Sequence, residues 1–230
     1  MALFGTYFGS LWLGAMHFPH GYDWRRDVIS NLLSPRDNPG WYWVASAGVA
    51  LSGLCMLPLA AWLEVALGDG GSKLARWVRR PAFLVGMVCL IASALVVPQH
   101  VYMVIGMRHA HEALARVSAA GLGIGMLCAC RGATGETGRL AALRIIWRVV
   151  TVPPVAGAAG SGLVLGLSHL HWMPQAATAY LRATVLWHLS FWEWVGSVTV
   201  FLFFLAAVGL LGREETAATD SRDAAPQSRP

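Results

Sequence analysis

Residues 41–64 read WYWVASAGVALSGLCMLPLAAWLE. The stretch is apolar over most of its length, and a helix of about 20 such residues crosses the hydrocarbon core of a bilayer. The whole chain has the same character, since 56% of its 230 residues are hydrophobic and only 13% are charged. Together with a mean hydropathy of +0.54, this composition predicts an all-α, polytopic membrane protein.

Comparable apolar stretches recur along the chain and predict a bundle of six transmembrane helices. Their predicted bounds are residues 2–19, 41–64, 81–106, 110–130, 145–168 and 184–211. The first span lacks a basic segment and a small-residue cleavage signal, so we interpret it as a retained helix and not as a signal peptide. The transmembrane domain is predicted at residues 1–212, with an extracytoplasmic loop at 20–40. Residues 213–230, rich in Glu, Thr, Asp, Ser and Pro, are predicted to form a disordered cytoplasmic tail.

The basic residues predict the orientation. When the six predicted spans are threaded alternately through a bilayer, eleven of the 17 Lys and Arg residues fall on the side of the termini and six on the opposite side. Positive residues favour the cytoplasm, so both termini are expected there, in a multi-pass protein of the cell inner membrane. The loop between spans two and three carries Lys73, Arg76, Arg79 and Arg80. We attribute the pI of 9.4 to such loops and to contacts with anionic membrane lipids, and we expect no nucleic-acid binding.

The eight histidines all fall on the extracytoplasmic side of this threading. They are His17, His20, His100, His109, His111, His169, His171 and His188. Neutral imidazole is the most common metal ligand, and helical bundles build metal sites from side chains on several helices. The sequence therefore predicts a metal site, with zinc as the expected ion and with His17, His100, His111 and His188 as candidate ligands.

Other polar side chains on the same side supply candidate catalytic and substrate-binding groups. Glu193, Asp27 and Glu112 are candidate catalytic carboxylates, the first two as a general base. Arg25 and Arg26 are expected to steer an anionic headgroup, with Ser30 and Arg116 as further substrate-binding candidates. Glu112 lies four residues before Arg116, which predicts an ion pair along one helix face.

A structural role competes with each of these assignments. Histidine, tryptophan and tyrosine favour the headgroup region, so any single histidine is more often an interfacial anchor than a ligand. An ion pair between Glu112 and Arg116 also needs no substrate. Only the histidines taken as a set therefore indicate a functional site.

Two glycine patterns indicate close helix packing in the membrane. Gly121-x-Gly123-x-Gly125 and Gly162-x-x-x-Gly166 lie within apolar spans, where small residues let helices approach closely. Such helix faces also allow a homo- or hetero-oligomer.

The segment Asp27-Val-Ile-Ser-Asn-Leu, followed by Asn38-Pro and a small-residue span from Ala45 to Leu59, resembles a prokaryotic six-helix membrane family known as a domain of unknown function. That family is distantly similar to the Frag and DRAM membrane proteins. The resemblance covers about the first quarter of the chain and implies the six-helix architecture. The sequence departs from the family pattern at Asn31 and Leu33, where an acidic residue and glycine are usual.

A second resemblance is to the membrane hydrolases that include the alkaline ceramidases and the progestin-receptor-like proteins. Those proteins place histidines, an aspartate and a serine around zinc, and His100, His111, His188, Asp27 and Ser30 are of the same types. The His-x-x-x-His pair of their last helix is absent here.

Three functions fit these observations. The first is a zinc-dependent enzyme that hydrolyses or modifies a membrane lipid, because zinc lowers the pKa of bound water. The second is a redox protein whose histidines bind haem b or line a quinone pocket. The third is a transporter or membrane interaction protein without catalysis.

Overall fold

The computed structural model describes residues 2–67, 72–96, 110–132 and 188–223, together with residues 148, 152, 156–157, 160, 174, 179–180 and 183–185. The regular elements of these residues are helical. They are α1 (Ala2–Met16), α2 (Ile29–Leu32), α3 (Tyr42–Leu67), α4 (Lys73–Leu95), α5 (Ala110–Gly132) and α6 (Leu189–Asp223). The all-helical prediction is confirmed for this part of the chain.

Four of these helices are long and apolar enough to cross a membrane. The candidate spans are Tyr42–Leu67, Lys73–Leu95, Ala110–Cys130 and Leu189–Gly209. They identify the chain as a membrane protein with several candidate spans. α1 has 15 residues, about 22 Å of helix, which is shorter than the hydrocarbon core of about 30 Å. The predicted fifth span, at 145–168, lies almost entirely outside the described residues.

Three pairs of helices pack antiparallel: α1 with α3, α3 with α4, and α4 with α5. Gly14 at the end of α1 lies against Ala45 near the start of α3, and Gly53 of α3 lies against Ile91 near the end of α4. Gly86 of α4 in turn contacts Leu122 of α5. This order places the end of α1, the following loop and the starts of α5 and α6 at one end of the bundle, which we term the loop end. The opposite end, with the end of α3 and the start of α4, we term the basic end.

Aromatic side chains join α6 to the rest of the bundle. Phe201 contacts Phe4, Tyr7 and Phe8 of α1, with ring centroids 4.6 to 5.1 Å apart. Nearer the basic end, Phe204 packs against Phe83 of α4 at 5.7 Å. These contacts hold the start of α6 beside the loop that follows α1.

The start predicted for the third span, residue 81, is wrong, and residues 97–106 of that span lie outside the described residues. α4 begins at Lys73, where the side chain of Ser72 accepts a hydrogen bond from the amide of Ala75 at 3.2 Å, and it ends at Leu95. Hydropathy detects only the apolar part of a helix. The prediction therefore left out the first two turns of α4, which are basic and follow the N-cap at Ser72.

α6 also extends further than the sequence predicts. It continues to Asp223, through the first part of the segment expected to be a disordered tail. Ala, Glu and Arg, which favour helix, are frequent in that stretch and let the helix continue past the apolar run. Residues 224–230 lie outside the described part.

Candidate functional site

The loop between α1 and α3 docks on the first turns of α6. The hydroxyl of Ser190 donates to the carbonyl of Arg25 at 2.7 Å. The indole of Trp194 donates to the hydroxyl of Tyr22 at 3.1 Å, and that hydroxyl donates to the carbonyl of Asp27 at 2.7 Å. Side chains one turn apart on α6 therefore hold the loop through its backbone.

Glu193 lies on the same face of α6 and contacts the same loop. One of its carboxylate oxygens, Oε2, accepts a hydrogen bond from the amide of Ile29, the first residue of α2, at 2.7 Å. A carboxylate at the start of a helix is favourable because the first amides have no partner within the helix. This contact gives Glu193 a structural role, and its assignment as a general base stays a prediction.

Within the loop, acidic side chains shape a turn. Oδ2 of Asp27 accepts from the amide of Asp23 at 2.9 Å, and Oδ1 of Asp23 accepts from the amide of Arg25 at 3.0 Å. The carboxylate of Asp27 therefore stabilises the turn, and its role as a general base stays a prediction. Ser30 is half-buried on α2.

The two arginines of this turn point away from the core. Arg25 and Arg26 are exposed. The guanidinium of Arg25 lies 5.3 Å from the ring centre of Trp24, and Nε of Arg26 is 3.8 Å from Asp23. Both guanidinium groups are thus exposed at the loop end, and their role in headgroup steering stays a prediction.

Burial raises the pKa of Tyr22 above its usual range. The nearby carboxylates of Glu193 and Asp27 act in the same direction, while the hydrogen bond from Trp194 opposes them. The neutral phenol is therefore the form that the docked loop favours.

An apolar groove lies between the docked loop and α6. Its volume is about 230 Å³, and it is lined by Trp24, Phe191, Trp194, Val195, Val198 and Thr199. All of these residues except Trp24 come from α6, so the loop supplies the remaining wall. Sequence reasoning missed this groove, although the aromatic pair Phe191 and Trp194 at i and i+3 on a membrane helix was a usable signal.

His111 is the candidate metal ligand that the structure describes most fully. It is 8% exposed, and its Nδ1 lies 2.7 Å from the carbonyl oxygen of Ser93 on α4. Because a carbonyl can only accept, Nδ1 donates, and in the neutral ring Nε2 then carries the lone pair. This hydrogen bond satisfies a carbonyl in the last turn of α4, and it is also the arrangement that orients histidine ligands of metals.

The other histidines of the described residues also lie at the loop end. His17 is exposed, with Nδ1 2.9 Å from the carbonyl of Leu13 and its ring stacked on Trp41 at 3.8 Å. His20 is exposed, and His188 is half-buried just before α6. His100, His109, His169 and His171 lie outside the described residues. Within the described residues, no group of three or more His, Cys, Asp or Glu side chains is placed to hold a metal ion.

The ion pair predicted between Glu112 and Arg116 is confirmed. Oε2 of Glu112 and Nη2 of Arg116 are 3.2 Å apart. Their side chains are 53% and 77% exposed, so the pair lies on the outer surface of α5. It does not face the groove.

A second ion pair, at the basic end, was missed. Nε of Arg79 donates to Oε1 of Glu64 at 2.7 Å, and Nη2 of Arg79 donates to Oε2 at 2.7 Å. This pair joins α4 to α3. Arg79 is 1% exposed, so it is not the loop residue that the threading assumed. The sequence did offer an indication of this pair: Glu64 ends the predicted second span, and the segment that follows carries four cations.

The glycine spacing in α5 serves packing within this chain. A Cβ added at Gly121 would meet the backbone of Ala82 and Gly86 at 2.8 Å, and one added at Gly125 would meet Phe83 at 2.7 Å. Close packing is therefore confirmed at these two positions. Gly162 and Gly166 lie outside the described residues.

Comparisons of this chain with protein-family models, with curated proteins and with solved structures find no match. The resemblances inferred from the sequence therefore stay predictions.

Proposed function

We propose that this membrane protein binds an anionic membrane lipid at its loop end. The observation that carries the proposal is the groove formed where Trp24 of the docked loop meets α6. Its walls are almost entirely aromatic and aliphatic, which suits an acyl chain. At about 230 Å³ it is smaller than pockets for whole drug-sized ligands, roughly 300–1,000 Å³, so it accommodates a segment of acyl chain while the rest of the lipid lies in the bilayer.

The headgroup class follows from the charge at the rim. Trp24 is followed directly by Arg25 and Arg26, both exposed. Arginine presents several donors in a planar array that matches phosphate oxygens. A phospholipid whose acyl segment contacts Trp24 would therefore place an anionic headgroup beside these cations, at the extracytoplasmic surface in the proposed orientation.

The test compares two tryptophans at the same end of the bundle. Trp24→Ala removes a groove wall, whereas Trp43→Ala removes a 60% exposed indole that is not in the groove. The amount of phosphatidylglycerol retained by purified protein is measured by native mass spectrometry. We expect W24A to retain less phosphatidylglycerol than the parent protein and W43A to retain as much, and equal retention by both would overturn the proposal.

Two further variants separate the acyl and headgroup contributions. Val198→Phe fills the groove without removing a loop contact, so it should lower lipid retention while the protein stays folded. The pair Arg25→Gln and Arg26→Gln should lower the preference for phosphatidylglycerol over phosphatidylcholine while total retention is kept. A preference equal to that of the parent protein would exclude the headgroup assignment.

A second candidate, a metal-dependent lipid hydrolase, is favoured by the hydrogen bond that orients His111. In this proposal Nε2 of His111 is one zinc ligand, and the remaining ligands include His100, outside the described residues. Elemental analysis of untagged protein tests it, with His111→Ala expected to lose the metal and His20→Ala to keep it. Iron with a Soret band would instead favour the haem alternative, and absence of metal in the parent protein would exclude both.

A further inference from the structure

The first two turns of α4 carry a cationic and aromatic surface at the basic end. Lys73, Trp77 and Arg80 follow at helical spacing, so they lie on one face of the helix. Lys73 and Arg80 are exposed, and Trp77 is 78% exposed. Arg76 falls on the same face. This face is separate from the groove at the loop end.

α4 itself supplies no carboxylate to Lys73 and Arg80. Residues 72–96 include no Asp or Glu. On α3, the carboxylate of Glu64 is bound by both oxygens to Arg79 on the buried side of α4; Asp69, between the two helices, lies outside the described residues. Arg79 and Glu64 thus neutralise each other, while Lys73 and Arg80 face outward.

The apolar residues beside these cations indicate that this surface faces lipid. Leu74 is 73% exposed, and Leu84 and Val85, one turn beyond Arg80, are 52% and 46% exposed. If this candidate span crosses a membrane, these side chains would contact lipid and Lys73 and Arg80 would lie near the level of the headgroups. Trp77 between them has the amphipathic indole that favours the same level.

We propose that this surface is a binding site for anionic phospholipid headgroups. The phosphate would lie between Lys73 and Arg80, the indole of Trp77 would contact the glycerol region, and the acyl chains would follow Leu84 and Val85. A lipid is favoured over a soluble protein partner because the cations continue directly into a lipid-facing apolar surface. The inference is independent of the function proposed for the loop end.

The experiment measures lipid preference in nanodiscs that contain equal amounts of phosphatidylglycerol and phosphatidylcholine. The quantity is the enrichment of phosphatidylglycerol among lipids that remain with the protein on native mass spectrometry. A cation near a membrane surface contributes about a fivefold change in affinity for anionic lipid. Arg80→Gln should therefore lower the affinity about fivefold, and the pair Lys73→Gln and Arg80→Gln by a larger factor.

The matched control is Arg36→Gln, which removes an exposed arginine at the loop end. It should leave the enrichment unchanged, and Arg80→Lys, which keeps the charge, should retain most of it. The proposal is overturned if R36Q lowers the enrichment as much as R80Q, since the effect would then be one of net charge alone. It is also overturned if K73Q/R80Q, folded by its melting profile, keeps the parent preference. Neither result changes the expectation for W24A.

Discussion

At the residue scale, the pair of Arg79 and Glu64 makes the sharpest energetic prediction. Glu64→Gln would leave the guanidinium of Arg79, 1% exposed, as an uncompensated charge inside the bundle. Removing one partner of a buried pair costs about 3–5 kcal/mol. We expect E64Q to lower the free energy of unfolding by that amount, measured by denaturation in mild detergent.

The surface pair on α5 provides the control for this measurement. Arg116→Gln breaks a pair whose side chains are both more than half exposed, so it should cost about 1 kcal/mol or less. The double variant Glu64→Gln with Arg79→Met should recover most of the loss, because an apolar side chain replaces the buried charge. An E64Q variant as stable as R116Q would mean that water reaches Arg79.

Tyr22 predicts a dependence of stability on alkaline pH. Because burial raises its pKa in the folded protein, the neutral phenol is favoured by folding. Its contribution is fully present below the ordinary tyrosine pKa of about 10 and is lost as the pH rises above that value toward the raised pKa. The difference in melting temperature between the parent protein and Tyr22→Phe should therefore shrink from pH 8 to pH 10.5.

Tyr180→Phe is the comparison variant for that experiment, since Tyr180 is 74% exposed. Its melting temperature should equal that of the parent protein at both pH values. A Y22F difference that stays constant between them would show that the phenol of Tyr22 is not held in its neutral form by the docked loop.

The two ion pairs show which contacts can be inferred from sequence. Glu112 and Arg116 are four residues apart on one helix, so helical geometry alone brings them together. Glu64 and Arg79 meet only because α3 and α4 pack antiparallel and because α4 already begins at Lys73. Once hydropathy placed Arg79 in a loop, the pair could not be predicted.

At the element scale, the contact between α4 and α5 depends on residues without side chains. Gly121→Ala would place a Cβ 2.8 Å from the carbonyl oxygen of Ala82 and from the backbone of Gly86. Backbone atoms cannot move aside as a flexible side chain can, so the helices must separate. Overpacking of this kind costs about 1–3 kcal/mol, which we expect as a lower free energy of unfolding.

Gly123→Ala is the matched control, because a Cβ at Gly123 meets nothing within 4 Å. Alanine has a higher helix propensity than glycine, so G123A should be neutral or slightly stabilising. Equal destabilisation by both variants would contradict the assignment of Gly121 to the helix contact.

Hydropathy predicted the bounds of a helix correctly only where the apolar run and the helix coincide. The spans predicted at 41–64 and 110–130 agree closely with Tyr42–Leu67 and Ala110–Gly132, since the apolar run and the helix nearly coincide there. The third span differs because capping at Ser72, and not hydropathy, determines where the helix begins. The pair Phe191 and Trp194 indicates the α6 wall of the groove. The wall at Trp24 depends on how the loop folds back on α6, which no local pattern encodes.

At the scale of the whole molecule, the antiparallel order places the loop end and the basic end on opposite sides of the bundle. The basic end includes Lys73 and the exposed Arg80, and short basic segments favour the cytoplasm. We therefore predict that Asp37→Cys is labelled in intact cells by a membrane-impermeant maleimide. Lys73→Cys should be labelled only after the cells are permeabilised.

The parent chain serves as the background for this labelling, because Cys55, Cys89, Cys128 and Cys130 lie within α3, α4 and α5 and are half-buried or buried. Labelling of both introduced cysteines in intact cells would show that the loop end and the basic end are not separated by the bilayer. The reverse pattern would keep the bundle but invert it, and would move the Trp24 groove to the cytoplasmic leaflet. The lipids available to the groove and to Lys73 and Arg80 would then be exchanged, so the sidedness decides which leaflet supplies the ligand of each proposed site.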